Sequence, residues 1–435
     1  MKRSFLEKLQ QWKDSPLRKP LVLRGLRQTG KTWCLQEFAR TAFPGGIRLI
    51  DFEQSRKWQS VFDSDLDPKR ILAELELLLG QPIRAGQNML VFDEVQQCPR
   101  ALAALRYFYE QMPGLHVAAA GSLLDFALES ISFPVGRVQF LDLFPMTFGE
   151  FLIATGRTSL ADLLLAPPGL LPPAIHETLL QELRRYWMIG GMPRCVQTWV
   201  DTQSILEVRS EQDNLLSAFR QDFSKYTPRV DPHCLQTVLE NAAKTVGAQL
   251  AYARLAPEYS GTTAKKAFQV LALARLLHPV YAASAAGLPL GCAATPRLKT
   301  ILGDIGLLQA VCSRTAADEW SQPDLLAIYR GSLAEQFVGQ ELVAGFPGHG
   351  PHWWKREARN STAEVDYLVE LHGGIQPIEV KSGRAGSLKS LHQLLRDHPG
   401  SRDGLVLSCA PWAALPDQRL RFIPLYFAGS LNRLT

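Results

Sequence analysis

Eight residues constrain this chain more than any others. Gly25-Leu26-Arg27-Gln28-Thr29-Gly30-Lys31-Thr32 follow the pattern GxxxxGK[ST]. Glycines in such a loop let successive backbone N–H groups turn toward one anion, and a helix starting at its end adds partial positive charge. The flanks supply the scaffold this needs: Pro20 to Arg24 reads as a short apolar strand, and Leu35, Phe38 and Ala39 share one helical face after Thr32. Lys31 is placed to reach the β- and γ-phosphates of a nucleotide and Thr32 to hold Mg²⁺ through its hydroxyl. Gly25, Gln28, Thr29, Gly30, Lys31 and Thr32 are the expected ATP-binding residues.

A second strand fits the same sheet. Met89-Leu90-Val91-Phe92 is an apolar run ending in Asp93-Glu94. An acid at the end of a parallel strand, about 60 residues after a phosphate loop, can hold Mg²⁺, and an acid beside it can polarise the attacking water. Asp93 takes the metal role and Glu94 the water role. Ile47 to Phe52 reads as a further strand, and His116 to Ala120 as a fourth, ending at Gly121-Ser122. A polar residue there lies between the two motif strands, so Ser122 is a candidate γ-phosphate sensor. It also suits the N-cap of a helix from Leu123 to Leu128, and the two roles are compatible.

The chain has 435 residues, room for about three domains. With 46% hydrophobic and 20% charged residues it is ordinary globular material, which excludes a disordered tail, a collagen and a pure coiled coil. The most apolar window, Val270 to Ala294, is broken by Arg275, His278 and Pro279, and reads as a buried helix plus a turn with no membrane span. The start lacks an apolar signal region, and the seven cysteines are odd in number and widely spaced, so a cytoplasmic location with reduced thiols is expected. Nine Lys or Arg against two acids lie between Met1 and Lys31, leaving a net −2 for the rest of a chain whose total is +5. Either this is the solvated face of a first helix that buries Phe5, Leu9 and Trp12, or it contacts phosphate.

Beyond a proline-rich linker at Ala166 to Pro173, helices are expected over Ala174 to Ile189 and Ser204 to Tyr226, a small lid. From Asp231 to Leu288 the pattern reads helix, a short second helix at Leu250 to Leu255, a turn, and a third helix at Thr262 to Leu277 bearing Lys265 and Lys266. That is the outline of a winged helix-turn-helix, whose third helix either enters a major groove or only packs.

The last third carries a helix from Gly331 to Leu342 with Glu335, a strand at His352 to Lys355, and a hairpin of Glu364 to Leu371 and Ile375 to Lys381. A helix at Gly386 to Arg396 and a strand at Gly404 to Ser408 follow. A two-residue Gly373-Gly374 turn pairs His372 with Ile375, Leu368 with Glu379 and Asp366 with Lys381. Asp366, Leu368, Glu379 and Lys381 then share one face, and Tyr367, Val369, Ile378 and Val380 the other. Two acids and a lysine so placed are the arrangement of metal-dependent nucleases. Asp366 and Glu379 would hold Mg²⁺, Glu335 would add an acid, and Lys381 would act on the water. Trp353, Trp354, Lys355, Arg356 and Arg359 mix aromatics with cations, either for a nucleic-acid strand or, for the tryptophans, as core.

Taken together, Gly25-x-Arg27-Gln28-x-Gly30-Lys31-Thr32, Phe92-Asp93-Glu94-Val95-Gln96, Gly121-Ser122-Leu123-Leu124, Gly136-Arg137-Val138 and Leu143-Phe144-Pro145-Met146-Thr147-Phe148-Gly149-Glu150-Phe151 resemble a group of prokaryotic AAA-type ATPases. Gly190-Gly191-Met192-Pro193 and Lys299-x4-Asp304-x-Gly306-Leu307 carry the resemblance into the second half. It implies an α/β P-loop AAA-type core, and a C-terminal domain of unknown function that is similar to the restriction-endonuclease fold. The expected division is 1–155 ATPase core, 156–229 helical lid, 230–295 winged-helix-like module and 296–435 nuclease-like domain. The resemblance also implies a homo-oligomer, possible as a ring, in which an arginine of one subunit completes the neighbour's site. Arg137 is the candidate finger, or else it pairs with Asp142 or Glu150. An ATPase acting on DNA, with binding or Mg²⁺-dependent cleavage by the C-terminal domain, is the reading this favours. The alternative is a nucleotide-dependent switch whose C-terminal domain binds protein and never touches DNA.

Overall fold

The structure is a computed structural model, in which residues 2–121, 124, 136–226, 230–291, 297–312, 326–346, 348, 350–357, 361–381 and 387–434 are described. The chain divides into two compact units, Met1–Phe144 and Pro145–Thr435.

The first unit runs α1 (Phe5–Asp14), β1 (Leu21–Arg24), α2 (Lys31–Ala42), β2 (Ile47–Asp51), α3 (Lys57–Ser60), α4 (Pro68–Leu79), β3 (Met89–Asp93), α5 (Pro99–Gln111), β4 (His116–Ala120) and β5 (Gln139–Asp142). Its five strands are parallel in the order β2-β3-β4-β1-β5. An inner parallel strand is covered on both sides, so β3 and β4 are fully buried and apolar except for Asp93 at the end of β3 and His116 at the start of β4. Alternate side chains feed opposite layers. Val22, Leu90, Phe92 and Val117 pack with Ile71, Leu75, Leu105 and Phe108 of α4 and α5. Leu21, Leu23, Met89 and Val91 pack with Phe5, Leu9, Trp12, Leu35 and Phe38 of α1 and α2. The strand between the two motif strands is β4, as its sequence position suggested.

The second unit begins with helices α6 (Phe148–Ala154), α7 (Thr158–Leu163), α8 (Pro173–Ile189), α9 (Pro193–Thr202) and α10 (Ile205–Asp222). Three helices follow, α11 (Pro232–Lys244), α12 (Tyr252–Leu255) and α13 (Gly261–Leu273), and then an antiparallel pair, β6 (Leu277–Tyr281) and β7 (Leu298–Leu302). The third helix is shorter than expected, because Leu277 onward is strand. The pair's second strand also falls past residue 295, so β7 belongs to the hairpin and not to the domain that follows. Then come α14 (Ile305–Val311), α15 (Leu326–Gly345), β8 (His352–Lys355), β9 (Glu364–Leu371), β10 (Gly374–Val380), α16 (Lys389–Asp397), β11 (Gly404–Ser408), β12 (Ala413–Leu415) and β13 (Leu420–Pro424). The last six strands form one sheet, β12-β13-β11-β10-β9-β8. A bridge between Ala282 and Trp353 ties the hairpin to this sheet's β8 edge.

Residues 145–155, expected in the ATPase core, belong to the second unit, and their hydrogen bonds give the reason. Met146 N–H donates to Gly191 O at 2.6 Å. Tyr186 Oη donates to Met146 O at 2.7 Å. Phe148 N–H donates to Glu341 Oε1 at 2.9 Å and Gly191 N–H to Asp304 Oδ2 at 2.6 Å. A Cβ on residue 191 would overlap the Met146 backbone, which accounts for the glycine. The PMTFGEF, GGMP and Asp304 segments thus satisfy one another's buried backbone groups, and their sequence distinctiveness has a structural cause.

This network has an electrostatic cost. Burial pushes the Glu341 carboxyl up to about 8 and Asp304 up to about 6, in both cases against backbone N–H bonds that pull the other way. Between the ordinary carboxyl range and these values the folded unit holds protons that the unfolded chain has released. The stability from Glu341 is therefore present in full below about pH 4.5 and is lost as pH rises toward 8, at no more than about 1.4 kcal/mol per pH unit. Glu341→Gln keeps an acceptor for Phe148 N–H and removes that titration. The fall in thermal midpoint from pH 5 to pH 8 should be shallower in this variant than in the wild type; equal slopes would assign the pH dependence to other groups.

Candidate nucleotide site

Strand β1 ends at Arg24 and α2 starts at Lys31, so the loop between them lies at the C-terminal edge of the sheet, where ligands of open α/β sheets bind. Gly30 caps α2 at φ 88°, a left-handed conformation open to glycine without strain. At Gly25 a Cβ would overlap the Leu143 carbonyl oxygen, so the loop's first turn also requires glycine. Gln28 is exposed at positive φ, and Thr29 is fully buried with its hydroxyl donating to Leu26 O at 2.8 Å. The Thr29 side chain thus shapes the loop, and what it can offer a phosphate is its backbone N–H.

Lys31 is buried, and its Nζ donates to Gly25 O at 2.9 Å and Leu26 O at 3.0 Å. These carbonyls hold the ammonium inside the curve of the loop, where a phosphate would replace them as partner. Arg3, on the segment before α1, is also buried. Its guanidinium donates to Thr29 O at 3.1 Å and Phe144 O at 2.7 Å, fixing the loop from behind. No motif marks this arginine. Arg18 donates to Pro113 O at 2.7 Å, and Arg24 pairs with Asp142 at 2.9 Å. Three cations of the basic N-terminal stretch thus bond to groups within the first unit.

Across the edge, Thr32 Oγ1 donates to Asp93 Oδ2 at 2.6 Å. A hydroxyl and a carboxylate in contact, 61 positions apart in the chain, are the hard oxygen pair that Mg²⁺ takes at nucleotide sites. Burial raises the Asp93 carboxyl above its ordinary value, opposed by the bonds from Thr32 and from Glu94 N–H. A bound cation would reverse that cost. The residues present therefore fit Mg²⁺.

Glu94 is half-buried at φ 45°, which turns its side chain out of the strand direction. Its Oε2 accepts from Gln96 Nε2 at 2.5 Å. The Gln96 amide oxygen is buried against Gly121, at the end of β4, where a Cβ would collide with it. Gln96 therefore links Glu94 to the end of β4. The sequence marked Gln96 as distinctive, but only the fold shows these contacts. Ser122 and the expected helix after it lie outside the described residues.

Arg137 follows Gly136 and pairs with Glu110 of α5 at 2.7 Å. Asp142 is taken by Arg24, and Glu150 forms a capping box with Thr147 at the start of α6. Arg137 keeps 42% of its side chain exposed.

In the second unit the hairpin register differs from expectation by two residues along β10. The turn is His372-Gly373, both at positive φ, and Leu371 pairs with Gly374 and Leu368 with Pro377. The two-residue hairpin turn of this type needs left-handed backbone at both central positions, and His372 adopts it with Nε2 bonded to Leu434 O at 2.7 Å. Asp366 and Glu379 stand one step beyond the Tyr367–Ile378 pair. A shift of two preserves alternation, so the expected faces survive. Tyr367, Val369, Ile378 and Val380 are buried as expected, but so is Leu368 on the opposite face, because the sheet is covered on both sides.

Around Asp366 and Glu379 lie Glu335, Glu364 and two lysines. Lys381 Nζ donates to Glu379 Oε1 at 2.6 Å. Lys299 Nζ lies 3.1 Å from Glu335 Oε1, 2.6 Å from Glu364 Oε1 and 3.8 Å from Asp366 Oδ1. Burial raises Glu335 to about 8 and Glu379 to about 7, with the Asp366 charge adding to each. Burial disfavours the Lys299 ammonium too, but Glu335, Asp366 and Glu364 outweigh it and raise its pKa. Among the described residues no group of three or more His, Cys, Asp or Glu is arranged to hold a metal. Trp353 and Trp354 are core, Lys355 donates to Gln249, Arg356 pairs with Asp397, and Arg359 lies outside the described residues.

A loop–helix junction with a buried lysine, facing a strand-end acid pair, defines a P-loop nucleotide-binding domain. Its particular class is the AAA type: residues 17–152 match an AAA domain, and the first unit is an AAA-type ATPase domain. Residues 180–318 and 330–426 match two domains of unknown function, DUF8612 and DUF4143. No curated protein matches the chain. Among solved structures it is similar to the Walker-type ATPase PABY2304 of Pyrococcus abyssi, at 15% identity over 70% of this chain and 94% of that one, TM-score 0.45. It is also similar to the Thermotoga maritima RuvB Holliday junction branch migration motor, at 16% over 64% and 89%, TM-score 0.29. The Aeropyrum pernix ORC1 protein in complex with DNA matches at 12% over 73% and 92%, TM-score 0.28. All three TM-scores lie below 0.5, so the class rests on the matched domain and the site geometry. No described helix is long and apolar enough to cross a membrane.

Lys31→Ala should lose ATP binding in a fluorescent-nucleotide titration. Glu94→Gln should retain binding and lose at least about a hundredfold in turnover, since general-base and water-positioning groups contribute on that order. Gln96→Ala should change turnover and leave nucleotide affinity within about twofold. A Glu94→Gln protein hydrolysing at the wild-type rate would remove Glu94 from the mechanism.

Proposed function

We propose that this chain is a Mg²⁺-dependent ATPase that acts on DNA. The observation that carries the ATPase reading is the Thr32–Asp93 contact beside Glu94 and the Lys31-filled loop. Backbone N–H groups of residues 28 to 32 and Lys31 would hold the phosphates. Thr32 and Asp93 would hold Mg²⁺, which when bound neutralises phosphate charge. Glu94 would orient the attacking water and take up its proton, its angle set by Gln96.

The DNA reading rests on α13. Ser260 caps this helix, and Ala264, Ala267, Phe268 and Leu271 bury one side of it. The opposite side exposes Thr262, Lys265, Lys266 and Gln269, the spacing of one helical face. Three helices followed by an antiparallel hairpin is the element order of a winged helix, and such a face is the groove-entering one. Lys265→Glu with Lys266→Glu should weaken duplex binding at least about tenfold. It should also lower the slope of log affinity against log salt by roughly two, since each phosphate no longer neutralised removes about 0.9. Unchanged binding, or no mobility shift by the folded wild type on duplex, forked or single-stranded DNA at low salt, would refute the DNA role. The burial of Trp353 and Trp354 and the Arg356–Asp397 pair favour a second reading, a nucleotide-dependent switch whose C-terminal domain binds protein, and that negative result would select it.

The exposed Arg137 supports a homo-oligomer in which this arginine leaves Glu110 for charge developing on a neighbour's nucleotide. Mixing Arg137→Ala with Lys31→Ala subunits should then restore part of the turnover that each lacks alone.

A further inference from the structure

The carboxylates of the nuclease-like domain are not without a cation. Lys299 is 3% exposed, enters from β7, and meets acids from two other elements: Glu335 of α15, and Glu364 and Asp366 of β9. Its ammonium also lies 5.1 Å from the centroid of the buried Trp353 ring. The bridge from Ala282 to Trp353 and the register Val280↔Lys299 fix β7 against this corner. A buried ammonium among three carboxylates offers the compact charge and short oxygen contacts that a divalent ion would offer, and it occupies the space between them. The remaining oxygens are partly committed. Asp366 Oδ2 accepts Val380 N–H at 2.8 Å, and Glu379 Oε1 accepts Lys381. Among the described residues, Glu379 Oε2 is the one buried carboxylate oxygen of this corner without a hydrogen-bond partner, and a single oxygen is too few for a metal.

We propose that Lys299 is the resident cation of this cluster: in this chain Glu335, Glu364 and Asp366 are partnered by a lysine in place of a divalent metal. It follows that the domain does not cut nucleic acid by metal-assisted hydrolysis, and that the hairpin carrying Lys299 is held to the sheet by charge. The fold would be kept as a scaffold, its acids serving as the socket for β7.

The test uses the full chain with Asp93→Asn, which silences the nucleotide-site metal, and Mn²⁺ as probe, followed by electron paramagnetic resonance and thermal unfolding. With Lys299 present, no equivalent of Mn²⁺ should bind to the cluster at up to about millimolar metal, a range in which many oxygen sites fill. Lys299→Met leaves the three acids without their cation. It should either bind Mn²⁺ at least tenfold more tightly, in a manner lost on adding Asp366→Asn, or unfold more readily and recover its thermal midpoint with Mn²⁺ or with Glu335→Gln. Three results would overturn the proposal. The first is stoichiometric Mn²⁺ on the Lys299 chain that Asp366→Asn or Glu379→Gln removes. The second is a Lys299→Met protein as stable as its parent with no gain in metal. The third is a destabilised Lys299→Met protein that neither Mn²⁺ nor Glu335→Gln restores.

Discussion

A buried ammonium must have partners, and the partners of Lys31 determine the shape of the first unit's working edge. Gly25 and Leu26 turn their carbonyls inward to meet it. That turn is possible because residue 25 has no Cβ to strike Leu143, and because Arg3 holds Thr29 from outside. With the loop so closed, α2 starts at Lys31 and Thr32 is delivered to Asp93. The parallel order β3-β4-β1 supplies the other half of the geometry. Two strands distant in sequence end at one edge, with β4 between them. Charge, chain direction and the absence of one methyl group thus combine to place a hydroxyl, a carboxylate and an ammonium at one edge of the sheet. Energetically the pattern is consistent: burial raises the Asp93 carboxyl above its ordinary value, a cost that a cation would relieve.

The second unit applies the same physics to another end. Its buried acids do not converge on open space. Glu341 and Asp304 accept backbone N–H groups, and Glu335, Glu364 and Asp366 surround Lys299. Side-chain amides continue the theme: Gln336 bonds both backbone groups of Leu302, and Gln340 joins Ile305 N–H to Tyr186. Helix α15 therefore acts as a polar spine, satisfying strand β7, the start of α14 and the segment at 146–148. Polar residues on a buried helix usually advertise chemistry. Here most of them are accounted for by unpaired backbone at strand and helix ends.

What was legible in the sequence follows the range of each interaction. The loop, the acid pair and the strands carrying them could be read because a local pattern, apolar run then glycine or acid, specifies them. The first-unit strand at His116–Ala120 and the strands at His352–Lys355 and Glu364–Leu371 fall where they were expected. The β6–β7 hairpin was not legible, since Pro279 and His278 break the strand pattern of β6 and β7 carries a buried lysine. The β9–β10 turn misled by its second glycine: Gly373-Gly374 reads as the tight turn, but His372 tolerates positive φ once its ring is anchored, and the register moves. Arg3 and Arg137 show the limit most plainly. Charge counting finds the first and the family resemblance the second, but their partners Thr29, Phe144 and Glu110 are contacts only the fold creates.

The proposed mechanism requires that nucleotide binding move the ammonium of Lys31 from the carbonyls of Gly25 and Leu26 to the phosphates of ATP, and bring the amides of residues 28 to 32 onto those phosphates. Hydrogen exchange of those amides in the Glu94→Gln protein, with and without Mg²⁺ and ATP, measures this directly. Exchange should slow at least about tenfold at these positions, as hydrogen-bonded amides open less often, while the buried β4 strand stays unchanged. Saturating ATP binding with no added protection between residues 28 and 32 would contradict this mechanism and place the nucleotide elsewhere.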